Sequence, residues 1–91
     1  MARMAAVKRK FLTRCREERA QLGRVGNLTE NDLRRIGQAA HKIAGLAGTL
    51  GFVSLGNAAA QLDSQIAKHA DVEMAYQRYT EEIDKVLRDP D

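Results

Sequence analysis

The sequence predicts an all-α protein, an antiparallel up-and-down four-helix bundle, on three observations. Apolar residues recur at three- and four-residue steps in four stretches, about 4–22, 30–50, 55–69 and 72–88. The links between the later stretches are only a few residues long, which makes successive helices antiparallel neighbours. One proline and two each of Phe and Tyr, with no Trp, argue against a β-sandwich. At 91 residues the chain reads as one domain spanning residues 1–91, large enough to bury roughly 60–70% of its unfolded surface.

In the first stretch Met4, Val7, Phe11, Cys15 and Leu22 form the stripe, with Leu12 beside it and Glu18 marring the last turns. Cys15, on that stripe, reads as a packing residue rather than a reactive thiol. Gly23 and Gly26 break the pattern. Thr29 is a good N-cap for the second helix, with Asp32 at N3 and Leu28 and Leu33 placed as a hydrophobic staple. Its stripe, Leu33, Ile36, Ala40, Ile43, Ala47 and Leu50, alternates three- and four-residue steps without a fault, and Gly51 is a natural C′ residue. Phe52-Val53-Ser54 reads as a tight connection with Ser54 as the next N-cap. Leu55, Ala58 or Ala59, Leu62 and Ile66 then form the third stripe. Asp71 is expected to cap the fourth helix, whose stripe is Val72, Tyr76, Tyr79, Ile83 and Val86, and Pro90 to end it.

Composition narrows the function classes. No apolar run approaches the roughly 18 residues of a membrane span, and no secretory signal is visible. A lone cysteine excludes an internal disulfide framework and fits a reducing cytoplasm. The expectation is a cytoplasmic, monomeric protein, free-standing on the strength of Met1 and the compact length. Through Arg35 there are ten Lys or Arg against four acids, and beyond it five against eight. A basic first third has two readings, a nucleic-acid surface or a solvated arginine-rich face. The second is favoured, because Phe11 is the one aromatic residue there and single-strand binding wants stacking platforms.

The second helix carries the functional signal. With Leu33 at zero on a wheel of about 100° per residue, its apolar seam centres near 310° and His41 lies near 80°, facing away from the core. Gly37, Gly48 and Gly45 fall at about 40°, 60° and 120° on the same side. An exposed glycine inside a helix costs about 1 kcal/mol relative to alanine. Close packing of a neighbouring helix is one reading, best suited to Gly37; clear access to the imidazole is the other, best suited to Gly45. Between Asp32 and Asp63 there is no acid, while Arg34, Arg35 and Lys42 fall in that span. A negative group is therefore expected to reach His41 without meeting a carboxylate, and Arg34, two turns earlier, to face it. Zinc is not expected, because the helical partners at i+3 and i+4 are Ala44 and Gly45. The region offers no acid for a hydrolytic triad, and no Gly-rich nucleotide loop is present. What remains is nucleophilic catalysis by the imidazole itself. His69, at the end of the third helix, has no such surroundings and reads as solvated or structural.

The run Ala40-His41-Lys42-Ile43-Ala44-Gly45-Leu46-Ala47-Gly48-Thr49-Leu50-Gly51-Phe52 resembles the signature of histidine-containing phosphotransfer (HPt) domains of two-component phosphorelays. The likeness continues through Leu55 to Leu62. It implies that His41 is the phosphorylated histidine and that Gly45 gives the partner access. The surrounding docking residues are expected to be Gly48, Gly37, Lys42, Arg34 and Gln38 of the same helix. Many members carry lysine three residues after the histidine; that position is Ala44 here, and Lys42 directly follows His41. The resemblance implies a phosphoryl carrier without kinase activity, relaying between receiver-domain aspartates through phosphohistidine. A sensor or hybrid histidine kinase stands upstream, and the chain itself binds no cofactor or metal, Mg²⁺ coming with the receiver. The rival reading is a non-catalytic helical interaction module whose basic first third binds nucleic acid or an acidic protein.

Overall fold

The structure, a computed structural model, describes residues 2–23 and 25–89, with side chains over 5–23 and 26–89. Four α-helices and no strand occur among the described residues: α1 Ala2–Gln21, α2 Glu30–Leu50, α3 Val53–Ala67 and α4 Glu73–Arg88. A 3₁₀ turn, Val25–Asn27, lies in the first link. Each helix packs against two others, α2 against α1 and α3, and α4 against α1 and α3. The expected stripes meet at the centre of this ring, where Phe11, Cys15, Ile36, Ile43, Leu55, Leu62, Tyr79 and Ile83 are almost wholly excluded from solvent. Ala58 and Ala59 are both buried, so the choice between them does not arise.

The start of α2 is fixed as the sequence predicts. The Thr29 hydroxyl accepts from the Asp32 N–H at 3.1 Å, and the Asp32 carboxylate accepts from the Thr29 N–H at 3.0 Å, a reciprocal capping box. Hydrogen bonding to the carboxylate from Thr29, by its backbone N–H first and its hydroxyl second, holds the Asp32 carboxyl below its ordinary value. That stabilisation is present above the unfolded carboxylate's pKa and is lost as pH falls through the folded one. At the other end Gly51 takes φ +89°, its N–H bonding the Gly48 carbonyl while the Phe52 N–H bonds that of Ala47 at 2.8 Å. This is a Schellman ending, and it needs a left-handed residue at that place. The reversal turns Phe52 onto Phe11, ring centroids 5.6 Å apart, under the Lys8 ammonium.

Contacts pair early α2 with late α3 and late α2 with early α3. A Cβ added at Gly37 would touch the Ile66 methyls at 3.5 and 3.6 Å, and one at Gly56 would lie 3.5 Å from the Ala44 carbonyl and the Gly48 nitrogen. All of these are ordinary contact distances, so a methyl group would fit at either glycine with the helices as they lie.

Several expectations are corrected. α1 runs from Ala2 to Gln21 rather than 4–22, and Val7 is exposed where a stripe residue was expected. Glu18 does not mar the helix: it is 5% exposed, and its carboxylate receives the Tyr79 hydroxyl and an Arg35 N–H, each at 3.3 Å. Ser54 is not a cap. α3 begins two residues earlier, at Val53, with Phe52 at the N-cap and no side-chain cap bond, because the Schellman reversal already aims the chain into the next helix. α3 ends at Ala67, short of His69, in a second Schellman pattern: Ala70 N–H to Gln65 carbonyl and His69 N–H to Ile66 carbonyl. His69 supplies the left-handed residue, φ +54°. Val72 precedes α4 and occupies its N-cap; Asp71 still serves it, accepting the Glu73 N–H at 3.0 Å. Met1, Pro90, Asp91 and the side chain of Met4 lie outside the described residues. No helix is long and apolar enough to cross a membrane among the described residues.

Candidate functional site

His41 stands on the solvent face of α2, its side chain 79% exposed. The faultless seam puts it there: Ile36, Ala40, Ile43 and Ala47 are buried, and the helix can rotate no other way without exposing them. The expectation of an acid-free approach is overturned. The Asp63 carboxylate, from α3, lies 3.0 Å from His41 Nδ1. The span between Asp32 and Asp63 is acid-free in sequence, but its far limit folds back onto the histidine. The triad argument is corrected in the same way, since a carboxylate does orient this imidazole. No hydroxyl or thiol is hydrogen-bonded to His41 among the described residues.

The contact settles the tautomer on chemical grounds. A carboxylate only accepts, so Nδ1 carries the proton and donates to Asp63, which leaves the lone pair on Nε2. Nε2 is the free nitrogen of a largely exposed ring. A hydrogen bond this open contributes no more than about 1 kcal/mol, too little to matter for folding; its consequence is orientation.

Around His41 is a shallow depression of about 350 Å³, lined by Arg34, Gly37, Gln38, Lys42, Asp63, Ile66 and Ala67. Thus the structure brings His41, Arg34, Gln38, Lys42 and Gly37 together, as their shared helix face implies. Gly37 is buried in the floor, against Ile66 and near Asp63. Gly45 and Gly48 are exposed and do not line the depression; a Cβ at either would meet nothing within 4 Å. Close packing inside this chain therefore gives no reason for glycine at these two positions. Ala44, the place of the absent lysine, is half-buried against the core beside α3.

Asp63 is the residue that sequence reasoning missed. A signal for it exists. Asp63 and His41 are equally far from Phe52 along the chain, and Gly37–Ile66 and Gly48–Gly56 are nearly so. Residues mirrored about a tight helix–helix link come face to face. His69 is exposed and lies just beyond the last carbonyls of α3, in keeping with a structural or solvated role. Cys15 is buried, and burial, reinforced by Glu18, pushes its thiol up to about 12, so it is no nucleophile at neutral pH. Among the described residues no three His, Cys, Asp or Glu cluster as metal ligands.

The site is thus an exposed imidazole, oriented by a carboxylate of the neighbouring helix, on a bundle of four helices. The family model of the Hpt domain matches residues 6–89, and the chain belongs to that family. Hpt domains carry phosphoryl groups in two-component signalling, working with receiver domains and histidine kinases and having no kinase activity of their own. No curated protein and no solved structure matches the chain.

Proposed function

We propose that His41 Nε2 is the phosphoacceptor and that the protein relays phosphoryl groups between receiver-domain aspartates. The observation that carries this reading is the exposed ring held through Nδ1 by Asp63, which leaves Nε2 as the nucleophile. The Nε2 lone pair attacks the phosphorus of an aspartyl phosphate in line; the P–N bond forms as the P–O bond breaks, and the aspartate leaves as carboxylate. In the return step a second receiver's carboxylate oxygen attacks, and the P–N electron pair goes back to Nε2. Asp63 supports both directions by orienting the ring, so that Nε2 points the same way before and after it carries the group.

Gly45 and Gly48 keep the approach low for the partner, which accounts for two exposed glycines costing about 1 kcal/mol each. Arg34 and Lys42, in the depression with His41, supply cationic charge to the phosphoryl oxygens in place of the lysine absent at Ala44; Gln38 and Gly37 shape the docking floor. Phosphoryl transfer is mainly positioning and charge stabilisation, so Mg²⁺ is assigned to the receiver and no cofactor to this chain. The same reading takes residues 1–91 as a single monomeric cytoplasmic domain in an antiparallel up-and-down order, supported by the two-residue link between α2 and α3 and their mirrored contacts.

The test is incubation with phosphorylated receiver domains. The expected product is acid-labile, alkali-stable phosphate on the wild-type chain and none on His41→Gln, with helical content unchanged. Label persisting on His41→Gln places the phosphate elsewhere, and no label across a broad panel of receivers ends the carrier reading.

A further inference from the structure

The basic α1 has no part in the site so far, and the structure gives it one. A cleft of about 520 Å³ separates α1 from α2, with Lys10, Thr13, Arg14, Glu17, Arg35 and Ala39 in its walls. Lys10 and Arg14 are exposed and have no ion-pair partner among the described residues, whereas Arg35 is already engaged with Glu18. Going round α2 from His41, Gln38, Lys42 and Arg35 follow at about 60°, 100° and 120°. The cleft therefore adjoins the acceptor face.

Size makes that adjacency matter. A standard protein–protein interface covers roughly 800 Å² of each partner, a patch about 30 Å across. This body measures 21 × 19 Å in its shorter dimensions, so a partner centred on His41 spills over α2 onto its neighbours. The two flanks differ. Towards α3 lie the partly exposed Asp63, held by His41, and the uncharged Asn57, Ala60, Gln61 and Ser64. Towards α1 the exposed charges are Lys10, Arg14 and Glu17, a net positive set. α1 and α2 together carry ten Lys or Arg against four acids, while α3 and α4 carry three against five. The resulting field turns the His41 side towards anything negative.

We propose that the α1–α2 cleft is the second half of the docking surface, receiving an acidic segment of the protein that exchanges phosphoryl groups with His41. This rests on His41 being the phosphoacceptor. A protein fits better than single-stranded nucleic acid, because Phe11, Phe52, Tyr76 and Tyr79 are packed inside, leaving no stacking platform among the described residues.

The experiment labels wild type and the charge-reversed double variant Lys10→Glu/Arg14→Glu with phosphoramidate, whose P–N bond breaks to release ammonia as the bond to His41 forms. Transfer to receiver domains is then timed at low and high salt. Equal labelling is expected, with transfer by the variant at least about tenfold slower at low salt and the gap closing at high salt; Lys10→Gln/Arg14→Gln should fall between. Equal transfer rates would overturn this inference and leave the carrier reading standing. A labelled wild type that passes phosphate to no receiver overturns both. Loss of oligonucleotide binding by the variant, with transfer intact, assigns the cleft to nucleic acid and sinks the proposal.

Discussion

Two carboxylates bridge helices in this molecule under opposite conditions. Glu18 of α1 is buried and takes donors from α2 and α4, Arg35 and Tyr79. Asp63 of α3 is partly exposed and takes one donor from α2, His41, whose ring stands in water. Inside, a lone carboxylate costs several kcal/mol, so both donors are needed to offset desolvation; there, burial raises the pKa of Tyr79 and Cys15 as well. At the surface the same kind of bond is nearly free of energetic consequence. The difference teaches where to look for chemistry. A polar contact that folding does not need is available to hold a reactive group.

Substitutions at three positions press on that contrast. The largest effect is expected from Gly45→Glu, which fills open space without touching either bridge. Transfer to receivers should fall by more than about 100-fold while phosphoramidate labelling persists, and thermal stability should rise slightly because Glu is the better helix former; normal transfer would refute the access argument. Next is Asp63→Ala. Loss of ring orientation should slow phosphoryl acceptance about tenfold, and chemical denaturation should shift by no more than about 0.5 kcal/mol. Asp63→Asn, which can still accept from Nδ1–H, should recover most of the rate; equal slowing in both variants would point to charge rather than orientation. Tyr79→Phe should do the reverse, costing about 1–2 kcal/mol in denaturation with transfer unchanged. A slowed transfer there would mean that the two regions are coupled.

Much of this was legible in the sequence, for identifiable reasons. α2 was placed to the residue at both ends because its signals are local: Thr29 and Asp32 cap each other, and Gly51 supplies the left-handed turn. His41 was legible because the seam opposite it has no fault. The start of α3 was misread because Ser54 is a good cap by type, whereas a Schellman reversal needs no further cap. The end of α3 was misread because nothing in a histidine announces a positive φ. Glu18 looked out of place since its two donors lie 17 and 61 residues away in sequence. Asp63 was missed for a similar reason: the reading followed charge along the chain, and the contact belongs to the pairing of two helices.

The Nδ1 hydrogen bond has a consequence for how the site responds to its own chemistry. A ring held through Nδ1–H keeps that bond whether Nε2 is bare, protonated or phosphorylated, because none of these changes touches the Nδ1 proton. With His41 as the proposed phosphoacceptor, loading and unloading leave the ring where it was, so donor and acceptor meet one fixed geometry in which only the occupant of a single nitrogen changes.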